Sequence, residues 1–166
     1  VKKLNRKVVK QLRDQGIKAF PVHPSSMATR EETTDINLEP VAQMVKEGFT
    51  PVIHGDGVVH RGEGFSVISG DEIATSVMKQ IRAEKLGFCT SVPGVLDEDG
   101  EVIESIEDME RFSEKKVEGK DVTGGMRNKL EKVFEKEVDA RIFGAEELGG
   151  FLSEEEVGTV VRGSPR

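Results

Sequence analysis

Short β-branched runs that alternate with helical patterns constrain this chain more than any other feature. IKAFPV (17–22), TPVIHG (50–55) and GFCTSV (87–92) read as buried strands, and between them apolar residues recur at helical spacing. Strands separated in this way need crossover connections, which favour a parallel sheet with helices on both faces. LEPVAQMVKEG (38–48) reads as a helix closed by Gly48, and DEIATSVMKQIRAE (71–84) as a helix whose Ile73, Ala74, Val77, Met78 and Ile81 face inward. GVVHRG and GFSVIS, either side of a polar turn, predict an antiparallel hairpin. The expected class is therefore α/β, a three-layer αβα sandwich around a mainly parallel central sheet.

The flanks of this pattern are also legible. Residues 2–14 predict an amphipathic basic helix, and the chain opens inside it with no strand before it, so an N-terminal portion is expected to be missing. VLDEDGEVI has the pattern of a turn-bounded excursion around Asp99-Gly100, and EDMERFSEKK (107–116) that of a charged, exposed stretch. Met126, Leu130, Val133, Phe134 and Val138 form a second helical stripe, with Thr123, Gly124 and Gly125 as the loop and cap before it. ARIFG (140–144), a short acidic helix and the strand GTVVR (158–162) complete the chain. The segment 23–35, HPSSMATREETTD, fits none of these patterns.

At 166 residues the chain is long enough for one domain with a sizeable core. A net charge of -7 argues against a nucleic-acid partner, and 5% aromatics without Trp or Tyr argue against base stacking. There is no apolar run of membrane-spanning length and no secretory h-region, so no membrane association is expected. The one cysteine, Cys89, fits a reducing cytoplasm.

Ligands of open α/β sheets collect where strands end and helices begin. Three junctions qualify. Ser69-Gly70-Asp71 joins GFSVI to a helix, and reads either as an N-cap or as an amide presented to a phosphate. Cys89-Thr90-Ser91-Val92-Pro93-Gly94 ends a buried strand, where a simple turn is the alternative to a binding loop. Gly124-Gly125-Met126 opens a helix that carries Arg127 and Lys129 in its first turns. Cations there work against the helix dipole unless an anion occupies the same place; solvation on an outer face is the other reading. His54-Gly55-Asp56 also ends a strand, yet no serine or cysteine is placed to complete a triad with it. His23, His60 and Cys89 share no metal-ligand spacing, so no zinc site and no metal-ligating residue is expected. Neither a Walker lysine loop nor a GxGxxG fingerprint is present.

Taken in order, PVIHGDGVVHRGEGFSVISGDEIA (51–74), FCTSVPGVLDEDGEVI (88–103), DVTGGMRNKLEKV (121–133) and VGTVVRG (157–163) resemble the C-terminal part of the amino acid kinase family, most closely its archaeal branch acting on isopentenyl phosphate. The resemblance runs over nearly the whole of residues 1–166, which would form one part of a single kinase domain. It implies transfer of the γ-phosphoryl group of ATP, with Mg2+, to isopentenyl phosphate for isoprenoid synthesis. It also implies a cytoplasmic enzyme and, as is common among relatives, a homodimer. By the same resemblance Lys129 contacts the ATP phosphates, and Asp71 holds phosphate-binding lysines in place. Ser69, Gly70 and Gly55 border the substrate phosphate; Thr90, Ser91, Gly94, Gly125 and Met126 border the nucleotide. Arg127 and Lys129 would then share a triphosphate as their counter-charge. Other acceptors on the same fold, such as uridylate, fosfomycin or an amino-acid carboxylate, stay open, as does a non-catalytic nucleotide-binding module.

The sequence departs from the family pattern in two places. The glycine loop bearing a lysine and the second loop bearing a substrate histidine belong upstream of Val1, and His23, His54 and His60 match neither. Relatives often carry Thr-Asp and then Asp-Gly where this chain has Thr90-Ser91 and Pro93-Gly94.

Overall fold

The computed structural model describes residues 1–109 and 124–165, which fold as two compact units, 1–81 and 82–166. In the first unit, α1 (Lys2–Asp14) lies against a two-stranded parallel sheet of β1 (Ala19–Pro21) and β4 (Thr50–Val52). Two side chains of α1 fasten it there. Asn5 Nδ2 donates to Val52 O at 2.8 Å, and Arg13 Nε donates to Ala19 O at 2.8 Å. The helix α2 (Glu39–Lys46) opens with Pro40, where the missing amide costs nothing, and closes two residues before Gly48 at φ +75°.

A four-stranded sheet in the order β3-β2-β5-β6 completes this unit. β5 (Asp56–His60) and β6 (Gly64–Ile68) are the expected hairpin, turning through Gly62 at φ +92°. β2 (Ala28–Arg30) and β3 (Thr34–Ile36) form a second hairpin, and β2 pairs in parallel with β5. The sequence pattern gave no sign of this second hairpin within 23–35. The helix α3 (Gly70–Ile81) carries Asp71 and Glu72 in its first turn and Lys79 in its last, charges that suit its dipole. Ile73, Val77 and Ile81 pack into a core with Val22, Ile36, Val41, Val58 and Ile68. The helix stops at Arg82, which adopts φ +57°, three residues earlier than its sequence pattern implied.

The second unit is built on a sheet in the order β7-β9-β10-β8. β7 (Gly87–Thr90) runs parallel to β9 (Asp139–Gly144), with Thr90 beside Gly144; β10 (Thr159–Arg162) is antiparallel to β9 and parallel to β8 (Ser105–Ile106). Across the described strands of both units, parallel pairings outnumber antiparallel ones, as an α/β chain of this pattern requires. They are divided among three sheets rather than gathered in one.

The helix α4 (Gly124–Lys136) buries Met126, Leu130 and Val133 along one stripe, and Val138 follows them inward. It begins at Gly124, so both glycines belong to its first turn rather than to a loop before it. Asp121, Val122, Thr123 and most of the charged stretch 107–116 lie outside the described residues. The excursion around Asp99-Gly100 is a tight turn. Leu96 bridges Val102, Asp97 Oδ1 accepts from the amides of Asp99 and Glu101, and Gly100 has φ +83°. The acidic segment after β9 is a 3-10 turn (Ala145–Glu147) followed by α5 (Leu148–Leu152). Among the described residues no helix is long and apolar enough to cross a membrane.

Candidate active site

In the second unit, the carboxyl end of β7 and the amino end of α4 enclose a cavity of about 240 Å³ lined by Cys89, Thr90, Ser91, Val92, Gly125, Met126 and Lys129. Two independent features make it suit an anion. A helix opens toward it with its first amides, and the only charged side chain among the described lining residues is a cation. Lys129 is half-buried, with Nζ 6.0 Å from the centroid of the Phe88 ring. At about 100° per residue, Lys129 flanks the buried Met126–Leu130 stripe on one side while Arg127 lies about 160° from Lys129 around the helix. Arg127 accordingly points outward, exposed, with Nε 2.8 Å from Glu131 Oε1. The expectation that both cations share one counter-charge is corrected here: Arg127 has the solvated-face role, and among the described residues Lys129 is the cation that lines the cavity.

The turn that forms the opposite wall is held by its own threonine. Thr90 Oγ1 lies 2.7 Å from Val92 O and 3.3 Å from Phe143 O, so the hydroxyl closes the turn and ties β7 to β9. Ser91 is adjacent to it in the lining. Gly94 is not part of the lining. A Cβ on Gly94 would stand 2.7 Å from Val102 Cγ1 and 2.8 Å from Thr159 Oγ1, so the glycine lets the turn settle on β10, where buried Thr159 accepts the Val95 amide at 2.8 Å. Cys89 and Val92, members of the sequence-predicted junction with no individual role assigned there, also belong to the lining.

The first unit holds the other junction. Ser69 Oγ accepts the Glu72 amide at 3.0 Å and caps α3. Gly70 has open space where a side chain would project, and Asp71 follows it in the first turn. Gly55 belongs to this junction too, because a Cβ there would come within 2.9 Å of Ile68 O and 3.3 Å of Gly70 N. Glu72 does not complete a capping box: its carboxylate turns to Arg30 instead, at 2.7 and 2.6 Å from Nη2, and also takes the Thr34 hydroxyl. Arg30 further donates to Ser66 Oγ at 3.0 Å and Thr34 Oγ1 at 2.9 Å.

His54 is not alone at its strand end. His23 Nδ1 lies 2.9 Å from His54 Nε2, and His54 Nδ1 lies 2.8 Å from Gly55 O. Beside them, burial pushes the Asp56 carboxyl up, but hydrogen bonds from Ser25 and the Gly57 amide, with the charge of Lys2, outweigh it and hold the group below its ordinary value of 3.8.

Residues 1–139 match the profile of the amino acid kinase family. The chain belongs to that family. Its similarity extends to the isopentenyl phosphate kinase of Haloferax volcanii, 40% identical over 98% of this chain and 67% of that protein. The isopentenyl phosphate kinase of Methanothermobacter thermautotrophicus is 34% identical over 98% of this chain and 68% of its own length. A crystal structure of an isopentenyl phosphate kinase superposes with a TM-score of 0.80 at 25% identity, covering 96% of this chain and 66% of the other. The chain thus spans about two thirds of the length of these relatives, and its α/β fold is that of the amino acid kinase family.

Proposed function

We propose that this chain is part of an ATP-dependent kinase that phosphorylates isopentenyl phosphate, giving isopentenyl diphosphate and ADP for isoprenoid synthesis. One observation carries the reading: 40% identity to an archaeal enzyme of that name extends over 98% of this chain, through both junctions. In it, residues 1–166 supply part of one kinase domain, in a protein that is cytoplasmic, of archaeal type and homodimeric.

The cavity at β7 and α4 takes the nucleotide, and its 240 Å³ suits part of that ligand rather than the whole, since ligand clefts span about 300–1,000 Å³. Lys129 directs its ammonium at the phosphates and offsets negative charge where the bond to the ADP oxygen breaks. An oxygen of the acceptor phosphate forms the new bond to phosphorus; it is already anionic, so no strong base is required. The Gly125 and Met126 backbone adds the helix dipole to the same place. Ser91 and the Thr90 turn border the nucleotide, with Gly94 setting the course of the chain behind them. Ser69, Gly70 and Gly55 border the acceptor phosphate, and Asp71 positions phosphate-binding lysines. When bound, Mg2+ neutralises phosphate charge; among the described residues the lining offers no carboxylate, so no protein ligand is assigned to it.

Steady-state assays of the full-length protein with ATP and a panel of isopentenyl phosphate, uridylate, fosfomycin and N-acetylglutamate test the proposal. Isopentenyl phosphate should give the highest kcat/KM. Preference for another acceptor, or nucleotide binding without turnover on any, would overturn it.

A further inference from the structure

Two loops of the first unit clasp one another around three potential metal ligands. His23 precedes Pro24 in extended conformation, and the 3-10 turn Pro24–Ser26 is fastened by Ser26 Oγ donating to His23 O at 2.9 Å. From the entry into β5 come His54 and Asp56, and one ligand atom from each of His23, His54 and Asp56 lies within 4.8 Å of the others. We infer that His23, His54 and Asp56 form a binding site for a divalent cation of the zinc type.

Hydrogen-bond bookkeeping fixes which atoms are offered. Gly55 O can only accept, so His54 Nδ1 carries the proton of that 2.8 Å contact and Nε2 presents its lone pair. A backbone carbonyl holding the far nitrogen of a histidine is the usual support for a metal-bound imidazole. His23 Nδ1 now donates to His54 Nε2 across 2.9 Å. A cation entering there takes the place of that proton, which moves to His23 Nε2 if the pair is neutral, or leaves to solvent if it is charged. The carboxylate is poised for the third position. The Gly57 amide holds Asp56 Oδ1 at 3.0 Å, the Ser25 amide makes a long 3.4 Å contact with Oδ2, and the Ser25 side chain also hydrogen-bonds the carboxylate, so a cation would replace weak local partners there.

The dimensions permit the change. Ligand atoms of a tetrahedral zinc ion stand about 3.3 Å apart. The histidine pair would open by about 0.4 Å, and the widest pair would close by at most about 1.5 Å, both within reach of side-chain rotation. Two imidazoles and one carboxylate suit zinc, cobalt or nickel and disfavour magnesium and calcium, which take oxygen sets. All three residues are half-buried, leaving room for water at the remaining position. Lys2 is a nearby positive charge that favours the ionised, ligand-competent form of Asp56.

Full-length protein stripped with a chelator and titrated with Co2+, followed by visible absorption and by Zn2+ competition, tests the site. One ion per chain should bind with a ligand-field spectrum, and His23→Gln and Asp56→Asn should each weaken binding by at least about tenfold. His60→Gln, at the far end of β5, should leave binding unchanged. Circular dichroism establishes that each variant is folded, and either ligand variant suffices if the other is not. Absence of stoichiometric uptake, unchanged affinity in the folded ligand variants, or loss of binding on His60→Gln would overturn the inference.

Discussion

The guanidinium of Arg30 holds both oxygens of the Glu72 carboxylate, joining strand β2 to the first turn of α3 at 2.7 and 2.6 Å. Glu72 is buried and Arg30 nearly so, with side-chain exposures of 10% and 24%. Removing one partner strands the other charge away from water. Arg30→Ala should therefore destabilise the protein by about 3 kcal/mol, and Arg30→Lys should recover only part of this, because an ammonium lacks the planar fork. Urea denaturation of the full-length protein gives both values; an Arg30→Ala midpoint equal to the wild type would remove the pair from the account of stability.

Ser69 has a structural and a proposed functional role that one substitution separates. Loss of the cap in Ser69→Ala should cost about 1 kcal/mol of stability. If the hydroxyl also borders the acceptor, KM for isopentenyl phosphate rises while KM for ATP stays constant. A change confined to the melting temperature would leave Ser69 as a cap alone.

Lys129→Ala should lower kcat by about a hundredfold and change the Kd for ATP much less, because its charge is needed most as the phosphoryl bond breaks. Single-turnover kinetics beside equilibrium nucleotide binding distinguish the two effects. Equal losses in both would make Lys129 a binding residue only.

Gly94→Ala sets a methyl group against Thr159 and Val102 in a packed turn. The expected cost is about 1–3 kcal/mol, the usual range for overpacking. Differential scanning calorimetry should show it as a lowered melting temperature, with ATP still raising that temperature in proportion.

Asp56 adds a dependence on acidity. Its carboxyl is held below 3.8, so its contribution to folding is fully present above that value and fades as pH falls through the still lower folded-state value. The stability difference between wild type and Asp56→Asn should thus be constant near neutrality and shrink below pH 3.8. Denaturant midpoints across an acid series provide the measurement, and a difference that grows on acidification would contradict the assignment.

Much of the fold was legible because its elements announce themselves locally. The stripe Met126, Leu130 and Val133, the turn at Gly62 and the cap at Ser69 each act over a few residues, and the structure places helices and a hairpin where they indicate. The hairpin of β2 and β3 was not legible. ATR and TDI offer no apolar alternation, and β2 becomes a strand through its pairing with β5, some thirty residues later. The Arg30–Glu72 pair and the His23–His54 contact escaped notice for the same reason, since each joins residues far apart in the chain. At the candidate site, Lys129 was identifiable from its place at a helix start. That Arg127 turns the other way follows from helix rotation, which a list of basic residues conceals.

The hydroxyl of Thr90 donates its proton to the backbone carbonyls of Val92 and Phe143, acting as a rivet between them. With the rim of β7 fastened to its neighbour beforehand, a molecule entering the cleft meets a surface that is already ordered, and little freedom remains there to be lost when it docks.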